Sequence, residues 1–224
     1  QNFNFDFNIN KNTYSLKKID MKLNNIKITS PLIEIEKKKN SFFVNGQFLN
    51  DKKNFDIEEL KPIFTDLLNT IDIRKIEFSS KSKFSFNVNK KLKFDNFKVE
   101  SIINLNQLTI NQKNLKIKSY FPSFVEEIKL EEHKITINYN KNKFNISGKG
   151  NILLEDKSDI LSYKIIKDNN NFLFDSKINL KNNSLLIDFL DYKKEEDLNS
   201  LISIKGNFKK NNQLRFDQIN LKEK

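Results

Sequence analysis

Apolar and polar residues alternate along most of this chain. The alternation is clearest in three segments, FNFDFNIN, FSFNVN and ITINYN, in which every second side chain is apolar and most of the others are Asn, Asp or Ser. These apolar side chains are Phe3, Phe5, Phe7, Ile9, Phe84, Phe86, Val88, Ile135, Ile137 and Tyr139. A period of two places successive side chains on opposite faces of a β-strand. The pattern therefore predicts strands with one apolar face.

Fifteen alternating segments follow one another between residues 3 and 221. Short polar clusters such as KNT, KKKN and NKN separate many of them. Links this short join neighbouring antiparallel strands, and a spacing of about 8 to 12 residues per strand is typical of all-β architectures. The sequence predicts a mainly β fold built as a long antiparallel meander.

One stretch, FDIEELKPIFTDLLNTIDI, breaks this rhythm. Its apolar residues follow the spacing of one stripe of an amphipathic helix, and Asp56 with Glu59 resembles a capping box. We predict one short helix near 57–69, which covers an open end or edge of the sheet. The surrounding residues 50–75 are the one possible joint in what is otherwise a single segment, 1–224.

The composition adds expectations about origin. The chain opens on Gln1 and its one methionine is Met21, so we expect a trimmed segment of a larger protein. No apolar run approaches the ~20 residues of a membrane-spanning helix, so we expect any membrane anchor to lie in a segment not present here. The chain has no alanine and is rich in Asn, Lys, Ile and Phe, a bias that an AT-rich genome produces.

The net charge of +11 raises the question of nucleic acid. Arginine, whose guanidinium group is preferred for contacts with phosphate and guanine, occurs only as Arg74 and Arg215. The lysines are spread along the chain among Asp, Glu and Asn, as on the solvated face of strands. We therefore expect no nucleic-acid partner. Diffuse lysine suits an anionic membrane or lipid headgroup equally well.

The sequence lacks a recognisable catalytic or metal-binding motif. It has no cysteine, which excludes thiolate catalysis and zinc ribbons. Its one histidine, His133, lies in EEHK, which we interpret as the exposed start of a strand. The glycines of SGKGN lack phosphate-loop spacing and are expected to relieve a strand bend or bulge. We predict no enzymatic activity, no cofactor, no metal and no small-molecule substrate.

A long meander with one apolar face must hide that face. Two sheets can pack as a sandwich, one sheet can close into a barrel, or one sheet can curl into a trough around an apolar ligand. The trough fits the abundance of Phe, Ile and Leu at every second position of the strands. It also fits the shortage of glycine, which tight closure of a sheet would require. Alternation alone leaves all three open.

Three segments carry a resemblance to a known family. LISIKGNFKKNNQLRFDQINLKEK, with two strands around a Lys-rich hairpin, resembles a repeat of the AsmA-like family of bacterial envelope proteins, in its YhdP and TamB branches. FSSKSKFSFNVNKKLKFDNFKVES and KFNISGKGNILLED are similar to it in the same way. The likeness is one of pattern and covers most of the chain. It implies a sheet curled into a taco-shaped groove.

The resemblance also implies a function and a location. It implies a periplasmic protein, anchored to the inner membrane of a Gram-negative bacterium, that transports phospholipid between the inner and outer membranes. Its partners would be phospholipid acyl chains, and the ten alternating side chains named above would line the groove. The alternative is a structural or adhesive β-sandwich domain of the cell envelope with a self-filled core. A membrane β-barrel fits less well, because Trp is absent and Tyr occurs only 5 times.

Overall fold

The protein is described here by a computed structural model that places residues 3–23, 26–60, 72–111, 116–122, 124, 126–141, 143–154, 157–168, 171–209 and 214–223. Within these ranges the chain is almost entirely β. The strands are β1 (Phe3–Asn10), β2 (Thr13–Leu23), β3 (Ile26–Lys37), β4 (Ser41–Phe55), β5 (Asp72–Asn89), β6 (Phe94–Asn111), β7 (Glu127–Asn140), β8 (Lys143–Leu153), β9 (Ser158–Asp168), β10 (Asn171–Leu180), β11 (Leu185–Ile187), β12 (Tyr192–Lys194), β13 (Ser200–Lys209) and β14 (Leu214–Glu223). Short 3-10 turns lie at Lys116–Ser119 and Asp188–Leu190.

Twelve of these strands form one antiparallel sheet in the order β1-β2-β3-β4-β5-β6-β7-β8-β9-β10-β13-β14. Each strand pairs with its neighbour in the chain, except that the separate β11-β12 hairpin is inserted between β10 and β13. The predicted mainly β antiparallel meander is confirmed. In the described residues β1 and β14 do not pair with each other, so the sheet is not a closed barrel.

Some predicted boundaries differ from the structure. The alternating segments 92–99 and 102–110 belong to the single strand β6, and part of 115–117 enters a 3-10 turn. Residues 57–60 are helical, as predicted, and the remainder of the predicted helix, 61–69, lies outside the described residues. Across the possible joint, β4 and β5 pair directly up to Phe55 opposite Ile76.

One face of the sheet is apolar across its full width. Directly paired residues of antiparallel strands project to the same face, so the pairs can be followed from strand to strand. One such row consists of Phe7, Leu16, Ile33, Gly46, Phe84, Val99, Tyr139, Phe144, Lys167, Phe172 and Phe208. Nine of these eleven residues have an apolar side chain. We call this side the apolar face, and the opposite side, rich in Lys, Asn, Asp and Glu, the polar face.

Bulges keep the apolar residues on this face where the sequence changes phase. In β2 the apolar residues move from even to odd positions between Leu16 and Ile19, and Lys18 between them has a φ of 52°. In β7 the same change occurs between Leu130 and His133, next to Glu132 with a φ of 54°. A bulge adds one residue to one strand. The extra residue therefore returns the later side chains to the apolar face.

The two ends of the strands are built differently. Short connections join β1 to β2, β3 to β4, β5 to β6, β7 to β8, β9 to β10 and β13 to β14 at one end, which we call the short-turn end. The longer connections lie at the opposite, long-connection end and pack onto the apolar face there. Leu60 packs with Ile26 and Phe55, and Phe124 packs with Ile152 and Leu154. The buried core therefore sits at the long-connection end.

Candidate functional site

The apolar face is largely open to solvent away from that core. The molecule exposes 15057 Å², whereas a compact monomer of 26.6 kDa exposes about 10,700 Å². The buried hydrophobic side chains of the described residues are Ile19, Ile26, Phe55, Leu60, Leu105, Phe124, Ile152, Leu154, Leu180 and Leu185. Most other side chains of the apolar face are only partly covered. This face is the candidate functional site.

The residues predicted from the sequence lie together on this face. Those on β5 and β7, from Phe84 to Tyr139, are half-buried in the middle of the sheet. On the edge strand β1, Phe5, Phe7 and Ile9 expose 43%, 51% and 66% of their surface. Phe3 pairs through its backbone with Met21, and its side chain lies outside the described part. The pairing between strands joins three segments that are distant in the sequence.

Aromatic rings form a continuous ladder across the middle of the apolar face. The ring centroids of Phe48 and Phe84 lie 4.7 Å apart, those of Phe84 and Phe86 6.0 Å. From Phe86 the ladder continues to Phe97 at 6.0 Å, and from Phe97 to Tyr139 at 5.9 Å. An open hollow of about 540 Å³ lies at the short-turn end of this ladder. It is bounded by Phe86, Phe94, Asp95, Asn96, Phe97, Tyr139 and Lys141.

All four glycines of the chain make room for rings on the apolar face. A Cβ atom at Gly46 would lie 2.8 Å from the ring of Phe84, and one at Gly148 2.4 Å from the ring of Tyr163. Gly150 faces the ring of His133 in the same way, and a Cβ atom at Gly206 would lie 2.7 Å from the ring of Phe174 and 2.2 Å from the carbonyl oxygen of Arg215. The rings lie close against the backbone at these positions. The sequence analysis predicted a strand bend or bulge at the glycines of SGKGN, Gly148 and Gly150, and missed this packing. Its signal in the structure is a glycine directly opposite an aromatic residue.

The interpretation of His133 as the exposed start of a strand is wrong. The residue lies in the interior of β7 and is 1% exposed, because it is in phase with Ile135 and so faces inward. Its Nε2–H donates a hydrogen bond of 2.9 Å to the carbonyl oxygen of Asn151. Burial lowers the pKa of the imidazole below its usual range. The ring therefore stays neutral near pH 7 and serves packing.

A buried lysine fixes the insertion between β10 and β13. The ammonium group of Lys194 donates hydrogen bonds to the carbonyl oxygens of Lys181 (3.2 Å), Asn183 (2.7 Å) and Glu195 (2.9 Å). The carboxylate of Asp159 accepts from the backbone N–H groups of Lys181 and Asn182 at 2.7 and 2.9 Å, and from the side chain of Asn183 at 2.7 Å. These charged groups hold the loop together and point to no substrate.

No group of three or more His, Cys, Asp or Glu among the described residues could hold a metal ion. The part of the chain that the structure describes also contains no helix long and apolar enough to cross a bilayer.

Comparison with protein-family models, with curated proteins and with solved structures finds no match to this chain.

Proposed function

We propose that this chain is a periplasmic segment of an AsmA-like lipid-transfer protein, and that its apolar face holds phospholipid acyl chains. The observation that carries the proposal is the apolar row that runs across the sheet, over most of which the described residues place no second layer. The large exposed surface supports a groove over a self-filled sandwich. The headgroups would stay in water along the open side.

The dimensions support a conduit for lipids. Neighbouring strands are about 4.8 Å apart, so the twelve-stranded sheet is about 53 Å wide. One leaflet of hydrocarbon is about 15 Å thick, half of the bilayer core. The apolar face is therefore more than three acyl chains long. A site for one small molecule would use only a fraction of it.

Binding of a lipid to the apolar face needs no specific contact with its headgroup. Each methylene group that leaves water for the apolar face contributes roughly 0.8 kcal/mol, so a lipid is held by its chains alone. Because neighbouring parts of the face are chemically alike, a chain can slide along it with little change in free energy. Transport of this kind requires no catalytic residue.

The proposal is tested by Phe86→Asp. A carboxylate on the apolar face costs several kcal/mol to desolvate, so we expect the folded variant to retain much less co-purifying lipid, measured by mass spectrometry. The matched control is Ser85→Asp, one residue away on the polar face, where Lys98 of β6 is the direct cross-strand neighbour. Full lipid occupancy in folded Phe86→Asp, or no lipid in the unaltered protein, would refute the groove.

A further inference from the structure

Lysines line the short-turn end of the sheet. Of the connections at this end, the turn segments 10–12, 37–41, 89–93 and 140–143 contain no acidic residue among those that the structure describes, whereas Asp168 lies where β9 ends. Their lysines, all exposed, are Lys11, Lys37, Lys38, Lys39, Lys90, Lys91, Lys93, Lys141 and Lys143. Because every second turn of a meander lies at the same end, these turns form one row. We call this row the basic rim.

The opposite end has a different charge. Its described connections mix lysines with many carboxylates, and the carboxylates are Asp56, Glu58, Glu59, Glu126, Asp188, Asp191, Glu195, Glu196 and Asp197. This is also the end where the long connections cover the apolar face. Positive charge is therefore concentrated at the end where the apolar face is open.

One part of the basic rim adjoins the aromatic hollow. Lys141 bounds the hollow together with four aromatic rings, and Asp95 and Asn96 bound it as well. In the neighbouring turn the side-chain oxygen of Asn89 accepts hydrogen bonds from the backbone N–H groups of Lys91 (2.9 Å) and Lys93 (3.0 Å), which fixes the turn. Within the described residues, the ion pairs of the chain involve none of Lys90, Lys91, Lys93 and Lys141.

We propose that the basic rim binds the anionic headgroups of phospholipids whose acyl chains lie on the apolar face, so that the groove prefers anionic over zwitterionic lipid. This inference rests on the proposed groove. Where an acyl chain lies on the apolar face next to the rim, the phosphate of its headgroup lies near the lysine ammonium groups. An anionic lipid carries a net negative charge at that position, whereas a zwitterionic lipid does not. A lysine near an anionic lipid surface contributes about fivefold in affinity. The attraction is screened beyond about 8 Å at physiological salt.

The test compares two lipids with identical acyl chains. The purified protein is incubated with vesicles of phosphatidylcholine, or of phosphatidylcholine with one third phosphatidylglycerol, and the lipid on the re-isolated protein is quantified. We expect the ratio of phosphatidylglycerol to phosphatidylcholine on the protein to be at least about fivefold higher than the same ratio in the vesicle. The rim variant Lys90→Gln/Lys91→Gln/Lys93→Gln/Lys141→Gln should lose this enrichment and keep phosphatidylcholine.

The matched control removes the same charge from the polar face, through Lys81→Gln/Lys83→Gln/Lys98→Gln/Lys134→Gln, and should keep the enrichment. If the rim variant stays selective, or the control loses selectivity equally, the headgroup inference is overturned while the groove stands. Competition by soluble glycerol phosphate at millimolar concentration would also overturn it, because the site would then bind phosphate without a lipid. If neither lipid binds the unaltered protein, the groove itself fails.

Discussion

At the scale of single residues, the four glycines explain how a sheet this rich in aromatics keeps its strands in register. A ring that lies across a glycine covers backbone that would otherwise face water, and it excludes any neighbour shifted by one position. Such cross-strand pairs are a known means of fixing register. Tyr163 over Gly148 is an example in which the ring comes from the residue directly paired with the glycine.

We expect Gly148→Ala to destabilise the protein by about 1–3 kcal/mol, because the new methyl group would overlap the ring of Tyr163. The measurement is urea denaturation followed by circular dichroism. The control is Ser147→Ala, its neighbour on the polar face, which should change the free energy of unfolding by less than about 0.5 kcal/mol. Equal midpoints for the protein and for Gly148→Ala would contradict this packing.

The burial of His133 makes the stability of the folded protein depend on pH. Its pKa is lowered in the folded state by burial, so the unfolded chain binds a proton more readily than the folded one. The stability is fully present above the ordinary imidazole pKa of about 6.5 and is lost as the pH falls through the lowered folded-state value. Because His133 is the only histidine, a decline in stability between about pH 7 and 5.5 should shrink in His133→Gln. An equally steep decline in both would contradict this assignment.

At the scale of elements, the β11-β12 insertion depends on one buried charge. Lys194→Met removes the donor of three hydrogen bonds and leaves the carbonyl oxygens of Lys181, Asn183 and Glu195 without that donor. We expect a loss of about 1–3 kcal/mol and faster hydrogen exchange in 181–199 than in β4 to β7. Lys193→Met is the control, since this exposed lysine pairs with Glu195 at the surface and should cost about 0–1 kcal/mol. Equal effects of the two substitutions would rule out the structural role of Lys194.

Most of the strands can be predicted from the sequence, and the exceptions have physical causes. The alternation of β1, β5 and β7 predicts strands and their inward residues, because a half-buried strand needs one apolar face. The burial of His133 was missed because its charged neighbours suggested exposure, although the phase of Ile135 and Ile137 places it inward. The basic rim was missed because its turns are far apart in the sequence. They can be placed at one end of the sheet only once the strand order is known.

At the scale of the whole molecule, the open sheet should make the protein larger than a compact domain. A globular chain of 224 residues has a radius of gyration of about 17 Å. A sheet about 53 Å wide with little cover should exceed that value by several Å in small-angle scattering of the monomer. The monomeric mass would be checked by light scattering. A value of 17 Å would mean that the apolar face folds onto itself as a sandwich.

Neighbour-to-neighbour strand order also makes the sheet extensible. Inserting one hairpin at a turn adds two strands, about 9.6 Å of width, and leaves the other hydrogen-bond ladders unchanged. A fold with crossover connections could not grow this way, because an insertion would displace strands that pair over long distances. The width of such a sheet can therefore change in steps of one hairpin while its cross-section stays constant.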